Sequence, residues 1–176
     1  MSETVRFLPA EEYSRTLPLF VECFGEDRDF CRTYYGDRGR GAVYSGRVAV
    51  LEDEGEILSM VHVRNMTMDF PPEVAADVER YVLPRLKVEP LAKISFGYLL
   101  CIGTAERQRG RGYMDRVMSF VEDKLRQEGC QFSLLIAVDK AIYEQRGYRY
   151  HFPLSAGARE LLFADEGLTE GTVKFL

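Results

Sequence analysis

The sequence predicts a mixed α/β fold made of a single domain over residues 1–176, on three observations. A chain of 176 residues can form one domain with a substantial core but is too short for two ordinary ones. Apolar residues make up 46% and charged residues 29%, which is the balance of a globular chain. Apolar residues also recur at strand spacing in some segments and at helical spacing in others, so strands and helices are expected to alternate.

The first part of the chain predicts a short strand at Val5–Leu8, followed by helices. Helical spacing continues up to Gly25, a residue typical of a helix end, through Tyr13, Leu17, Phe20, Val21 and Phe24. Pro18 lies inside this run, so the helix is either kinked or begins later than the pattern suggests. Asp27 can cap a second helix that carries Phe30, Cys31, Tyr34 and Tyr35. The glycine- and arginine-rich stretch Gly36–Gly41 is expected to be a loop.

The middle of the chain predicts a pair of strands and then an insertion. Val48–Leu51 and Ile57–Met68 have strand character and are separated by a turn at Asp53–Gly55. The segment 71–90 is bounded by prolines and has three valines at positions that share one face of a helix. We therefore expect an inserted helical element there.

The last part of the chain predicts two strands on either side of a long helix. Lys93–Thr104 and Phe132–Val138 are apolar runs of strand length. The helix between them has an apolar face and is followed by Gly129; its apolar residues are Met114, Val117, Met118, Val121 and Leu125. A short helix at Ala141–Arg146 and a strand at Tyr148–Phe152 follow.

Composition and charge exclude several classes of function. The net charge of -5 argues against a nucleic-acid binder, because a phosphate backbone demands a clustered positive surface. No apolar stretch approaches the length of a membrane span, and the first residues have no charged start followed by an apolar run. Two histidines and four cysteines without a CxxC pair give no plausible zinc ligand set, so no metal is expected. These features together predict a reduced, cytoplasmic protein.

The most informative segment runs from Cys101 to Met114. A strand leads into a turn rich in glycine and arginine, and a long helix begins directly after it. Glycine lets backbone amides approach an anion closely, and the unpaired amides of a helix's first turn favour negative charge. Arg109 and Arg111 can add charge-assisted hydrogen bonds to phosphate oxygens. Such a loop can hold a pyrophosphate, although the same glycines could serve only to permit a tight connection.

A second motif, Ile142-Tyr-Glu-Gln-Arg-Gly-Tyr148, follows the next predicted strand. Together the two motifs resemble the GCN5-related N-acetyltransferase superfamily, whose central motif is Arg or Gln followed by x-x-G-x-G/A. The segment Arg109–Met114 matches it with the helix beginning where the apolar face begins, whereas a register from Arg107 fits the literal pattern better. The run Ala137–Tyr148 and the stretch Glu22–Asp27 are similar to the Eis-like branch of that superfamily.

The resemblance implies a fold, a cosubstrate and a set of site residues. The expected fold is a mixed, mostly antiparallel sheet flanked by helices, with splayed central strands, and the expected cosubstrate is acetyl-CoA. Tyr143 would be the catalytic acid, and Glu22, Glu26 and Asp27 would border the acceptor. The residues expected to contact acetyl-CoA are Cys101, Ile102, Gly103, Arg109, Gly110, Arg111, Gly112, Tyr113, Met114, Val138 and Asp139.

Two functions remain open at this point, an N-acetyltransferase acting on a primary amine of a small molecule and a non-catalytic module that binds or senses acyl-CoA. A phenol such as Tyr143 favours the enzyme, since a pure binder does not need one near a thioester sulfur. The general base is also open; the candidates are Glu22, Glu26, Asp27, Glu106 and His62. Cys101 as a nucleophile is the less favoured route, because direct transfer needs no covalent enzyme. The segment 71–90 would either cover the acceptor entrance or pack in a homodimer.

Overall fold

The computed structural model describes residues 3–25, 29, 33–34, 46–69, 93–153 and 170–176. The chain divides into two compact units, the first formed by Met1–Arg64 with Leu99–Lys124 and the second by Asn65–Tyr98 with Leu125–Leu176. Each unit contains strands and helices, so the predicted α/β class is confirmed. A single domain over residues 1–176 stays a prediction.

The first unit is built on antiparallel strands. Strand β1 (Thr4–Phe7) pairs with β2 (Arg47–Asp53), and β2 pairs with β3 (Glu56–Asp69) through the predicted turn. The end of β4 (Lys93–Thr104) follows β3 in the strand order. The predicted strands at 48–51, 57–68 and 93–104 are thus confirmed, each to within two residues.

The helix predicted in the first unit begins late, as Pro18 allowed. Ala10–Thr16 form a 3₁₀ helix, and α1 covers only Leu17–Phe24, with the proline in its first turn. A proline is tolerated there because the first amides of a helix have no partner within it. Gly25 ends α1 with a left-handed φ of 67° and donates its N–H to the Val21 carbonyl.

The second unit contains the start of β4 and three further strands. Their order is β4, β5 (Phe132–Leu135), β7 (Glu170–Phe175), β6 (Tyr150–Pro153), and β7 is antiparallel to both of its neighbours. The strand predicted at 132–138 ends early, at Leu135. The strand predicted at 148–152 begins two residues late, and β7 was not predicted from the sequence.

Two helices complete the part of the chain that is described. Helix α2 spans Tyr113–Gln127, in agreement with the predicted apolar face, and α3 spans Lys140–Glu144. Residues 29, 33 and 34 are helical, but most of the helix predicted after Asp27 lies outside the described residues. The predicted loop 36–41 and the inserted segment 71–90 lie outside them as well.

Candidate functional site

The strand β4 has an irregular backbone near its end, at Cys101. This residue has a φ of 48° in the left-handed region, which is rare for a residue with a Cβ. The conformation costs about 1–2 kcal/mol, so its surroundings must hold it in place. The peptide that follows Cys101 is consequently turned relative to a regular strand, which is the local irregularity that a bulged strand produces.

Gly103 has a packing role at the same strand end. A Cβ at this position would lie 2.8 Å from the Cys23 Sγ, closer than real atoms approach. The carbonyl of Gly103 accepts a hydrogen bond of 3.1 Å from the buried Ser59 hydroxyl. A side chain here would force Cys23 to shift, which gives a packing reason for glycine that is independent of any cosubstrate.

The predicted phosphate loop begins directly after β4. The Ala105 amide donates to the Leu58 carbonyl at 3.0 Å, and Glu106–Gln108 form one short 3₁₀ helix. Gly110 and Gly112 then both adopt a φ of 76°. This conformation is strained for residues with a side chain, which explains the two glycines.

The backbone at the two glycines is open to an incoming group. A Cβ at Gly110 would meet no atom within 4 Å, and a Cβ at Gly112 would meet only the Asp115 carboxylate at 3.9 Å. Helix α2 starts immediately afterwards, with the Arg116 amide donating to the Gly112 carbonyl at 3.1 Å. The first-turn amides of α2 thus follow an accessible glycine turn, and Arg109 and Arg111 are exposed beside it. These residues fit a diphosphate.

Glu3 adds a carboxylate to the start of α2. The Tyr113 hydroxyl donates to Glu3 at 2.6 Å, and the Arg116 guanidinium pairs with the same carboxylate. Hydrogen bonds from these two residues lower the pKa of Glu3, while the bond to Glu3 raises the pKa of Tyr113. The Tyr113 side chain is therefore committed to Glu3, which leaves its backbone amide as its means of contacting an anion.

The predicted acceptor residues are only partly described. Glu22 lies on α1, and its carboxylate accepts a hydrogen bond of 2.6 Å from the Glu106 amide, at the start of the 3₁₀ helix. This contact fixes Glu22 beside the strand end that leads into the phosphate loop. Glu26 and Asp27 lie outside the described residues.

An aromatic cluster of two buried rings and the half-buried Tyr34 contacts Cys101. The rings of Tyr34 and His62 are stacked with centroids 5.8 Å apart, and the ring of Phe20 lies within 5.8 Å of both. The Tyr34 hydroxyl lies 3.4 Å from the His62 Nδ1 and 3.8 Å from the Cys101 Sγ. This cluster was not predicted from the sequence, since its members are far apart in the chain.

Burial decides what His62 can do. The side chain is fully buried, and loss of hydration lowers the pKa of His62 from its ordinary value near 6.5 to about 3. The imidazole is therefore neutral at physiological pH and is a weak base. This argues against His62 as the general base and against Cys101 as a nucleophile activated by it.

In the second unit, Asp139 and Tyr143 are brought together by α3. The Asp139 side chain caps this helix by accepting a hydrogen bond of 2.9 Å from the Ala141 amide. Tyr143 is half-buried; burial, followed by the Asp139 charge, raises the pKa of Tyr143 above its ordinary value near 10. Val138, just before the cap, is 81% exposed.

Backbone hydrogen bonds to the Tyr143 carbonyl, one of them from Tyr148, fix the position of Tyr143. The Tyr143 carbonyl accepts hydrogen bonds from the amides of Arg146 and Tyr148, at 2.9 and 3.2 Å. Tyr148 is fully buried and shares a hydrogen bond of 2.9 Å with the Ser133 hydroxyl on β5. No residue within the described ranges is hydrogen-bonded to the Tyr143 hydroxyl, which keeps its proton over the physiological pH range.

Membrane-spanning helices and metal-binding groups were also sought among the described residues. They contain no helix that is long and apolar enough to cross a membrane. Within the same ranges, His, Cys, Asp and Glu side chains do not gather in a group of three that could hold a metal ion.

Comparison with known families agrees with this geometry. Residues 74–151 match the family model described as Acetyltransferase (GNAT) domain. The predicted resemblance to the GCN5-related N-acetyltransferase superfamily is thereby confirmed for this segment of the chain. No curated protein matches the chain by sequence.

Solved structures share the fold at low identity. A Drosophila melanogaster polyamine N-acetyltransferase, an enzyme that catalyses the formation of N-acetylagmatine, is 15% identical with a TM-score of 0.61, over 99% of this chain and 100% of that one. Eis1 from Mycobacterium abscessus is 15% identical with a TM-score of 0.58, over 84% of this chain and 31% of that one. N-acetylglutamate synthase from Neisseria gonorrhoeae, complexed with coenzyme A and N-acetyl-glutamate, is 12% identical with a TM-score of 0.58, over 100% of this chain and 35% of that one. At such identities the likeness shows the fold.

Proposed function

We propose that this protein transfers the acetyl group of acetyl-CoA to a primary amine of a small molecule by direct attack of the amine. The observation that carries the proposal is the glycine turn at Gly110 and Gly112. Both glycines are left-handed, both have open space around their backbone, and Gly112 directly precedes α2. In an acetyltransferase fold this arrangement supports binding of the coenzyme A diphosphate.

The phosphate loop would bind through backbone amides and arginines. The first-turn amides of α2 carry partial positive charge, and Arg109 and Arg111 are exposed beside them. Because the Tyr113 hydroxyl and Arg116 are paired with Glu3, they are less available for phosphate. We assign the contacts of Tyr113 and Met114 to their main chain.

The strand end at Cys101–Gly103 would face the reacting carbonyl. Acetyl-CoA, when bound, supplies the acetyl group as a thioester. Amine attack forms a carbon–nitrogen bond and places negative charge on the carbonyl oxygen, and cleavage of the carbon–sulfur bond then releases a thiolate. The turned peptide after Cys101 supports a role for this segment as an amide donor to that oxygen. Val138 and Asp139 stay proposed, by similarity to the superfamily, as further contacts of the pantetheine arm.

Tyr143 would give its proton to the departing thiolate. Its raised pKa keeps the phenol protonated at neutral pH, as a general acid must be before it acts. A protonated amine must first lose one proton to a base before it can attack, and it loses a second proton as the amide forms. That second proton returns, through the base or water, to the Tyr143 phenolate and restores the acid. Glu22, Glu26, Asp27 and Glu106 remain the proposed bases, directly or through water. The products are then an N-acetylated amine and coenzyme A with a free thiol.

A cationic acceptor is favoured over a neutral one. The acidic stretch 22–29 borders the acceptor in this superfamily, and an acidic wall attracts a protonated amine. The Drosophila relative acts on polyamines and forms N-acetylagmatine, which supports the same class. We propose a small polyamine-like or aminoglycoside-like amine.

Release of free thiol from acetyl-CoA tests the function. The purified chain is incubated with acetyl-CoA and a panel of polyamines, agmatine, aminoglycosides and glutamate, with each acceptor omitted in turn. Thiol release that depends on a cationic amine supports the proposal. Tight coenzyme A binding without thiol release for any acceptor would instead support a module that binds or senses acyl-CoA.

A further inference from the structure

The aromatic cluster of Phe20, Tyr34 and His62 has no part in the function proposed so far. Phe20 is 3% exposed and His62 is fully buried, so these two rings form a fixed wall in the core of the first unit. Tyr34 stacks on the His62 ring at an interplanar angle of 24°. Its hydroxyl is within reach of both the His62 ring nitrogen and the Cys101 sulfur.

The left-handed backbone of Cys101 needs stabilising contacts from its neighbours. Its φ of 48° is unfavourable for any residue with a Cβ, and such conformations persist only where neighbouring groups fix them. Its half-buried side chain packs against the core that includes Phe20 and Met60. Its sulfur also contacts the Tyr34 hydroxyl, so this phenol touches the strained residue directly.

We propose that Tyr34, fixed by Phe20 and His62, is a positioning residue that holds Cys101 in its left-handed conformation. The peptide joining Cys101 to Ile102 is thereby kept in the orientation required of an oxyanion donor. Tyr34 acts through the backbone of Cys101 rather than on the substrate. This inference rests on the proposed function, in which that segment stabilises the reacting carbonyl.

A double-mutant cycle separates this role from a direct contact with the acceptor. In the natural chain, Tyr34→Phe removes the hydroxyl but keeps the stacked ring, and kcat should fall about tenfold, with the KM for acetyl-CoA unchanged. In a Cys101→Gly background the same substitution should change kcat less than twofold. Glycine adopts the left-handed conformation without help, so it no longer needs Tyr34.

The control is Tyr13→Phe, in which another phenol of the same unit loses a hydrogen bond, here to the Gly46 carbonyl at 3.0 Å. It should leave kcat unchanged in both backgrounds. An equal loss from Tyr34→Phe in the two backgrounds would overturn the proposal, as would no loss in the natural chain.

A measurement without substrate keeps the inference distinct from the proposed function. Backbone NMR shifts of Cys101 and Ile102 in the unliganded protein should move toward regular strand values in Tyr34→Phe but not in Tyr13→Phe. Unchanged shifts at these two residues would overturn the inference. Absence of turnover with every acceptor would refute the proposed function instead, while the NMR result would still decide what Tyr34 holds.

Discussion

The ring of Tyr143 lies edge-to-face against the ring of Tyr148, with centroids 6.0 Å apart and an interplanar angle of 76°. Tyr148 is itself fully buried and anchored to Ser133. The ring of the phenol proposed as the acid is therefore packed against a fixed aromatic neighbour. Such edge-to-face pairs add specific geometry to the burial of the rings.

Replacing Tyr143 with phenylalanine should remove the acid but keep this ring contact. We expect kcat to fall by about 10²–10⁴, the usual contribution of a general acid, with coenzyme A affinity unchanged. Steady-state kinetics together with calorimetric titration of coenzyme A measure the two quantities. A parallel loss of turnover and affinity would mean that Tyr143 shapes the site and does not act as the acid.

Asp139→Asn should lower the pKa of Tyr143. Asparagine retains the helix cap but removes the charge that adds to the effect of burial. The pKa should remain above the ordinary value near 10, because burial is the larger cause, and the change should shrink at high salt. NMR titration of ¹³C-labelled tyrosines, with the signal assigned by Tyr143→Phe, measures this pKa.

The same raised pKa fixes the sign of a stability effect. Between the ordinary pKa and the raised one, the folded state holds the Tyr143 proton and the unfolded state has released it. The free energy of unfolding should therefore fall as the pH rises through that window. For the Asp139→Asn variant, a Tyr143 pKa that is unchanged or higher than in the natural chain would show that the Asp139 charge does not act on the phenol.

Gly110→Ala should weaken coenzyme A binding by about tenfold. Alanine disfavours the left-handed conformation by about 1–2 kcal/mol, so the loop relaxes in the free protein and must be strained again on binding. Gly55→Ala is the matched control, because Gly55 has a φ of 83°, open space around its Cα, and a place in the β2–β3 turn. That control should lower stability but leave the affinity for coenzyme A unaltered. Equal affinities of the two variants for coenzyme A would show that Gly110 is not part of the binding site.

His62 should make the protein less stable in acid. Between pH 6.5 and about 3 the unfolded state binds a proton at this residue that the buried imidazole does not accept. The free energy of unfolding should fall by up to about 1.4 kcal/mol for each pH unit in that range. Urea unfolding of the natural chain and of His62→Gln at several pH values isolates this slope; identical slopes would contradict the buried, neutral state.

The fold was predictable where local pattern and tertiary structure agree. Strand β4 has the predicted bounds, and Pro18 correctly allowed a helix that begins late. Strand β7 was missed because its strand character comes from pairing with β5 on one side and β6 on the other, and its sequence, interrupted by Gly171, shows little of it. β5 was predicted too long because its apolar run continues into Val138, which is exposed.

Part of the candidate site could likewise be predicted from the sequence, and part of it could not. The glycine turn and Tyr143 could be read from the sequence because each belongs to a short local motif. The contact between Tyr34 and Cys101 joins residues 67 positions apart, and the left-handed backbone of Cys101 has no signal in its residue type. Such relationships depend on the packing of β3 and β4 against α1, which no local pattern specifies.

Backbone amide shifts on titration with coenzyme A measure whether residues 109–114 bind a diphosphate. We expect saturable changes that are largest at Gly110, Gly112 and the first turn of α2 and that inorganic pyrophosphate reproduces in part. Coenzyme A that leaves these amides unperturbed at saturating concentration, or that shifts only residues elsewhere, would contradict this expectation.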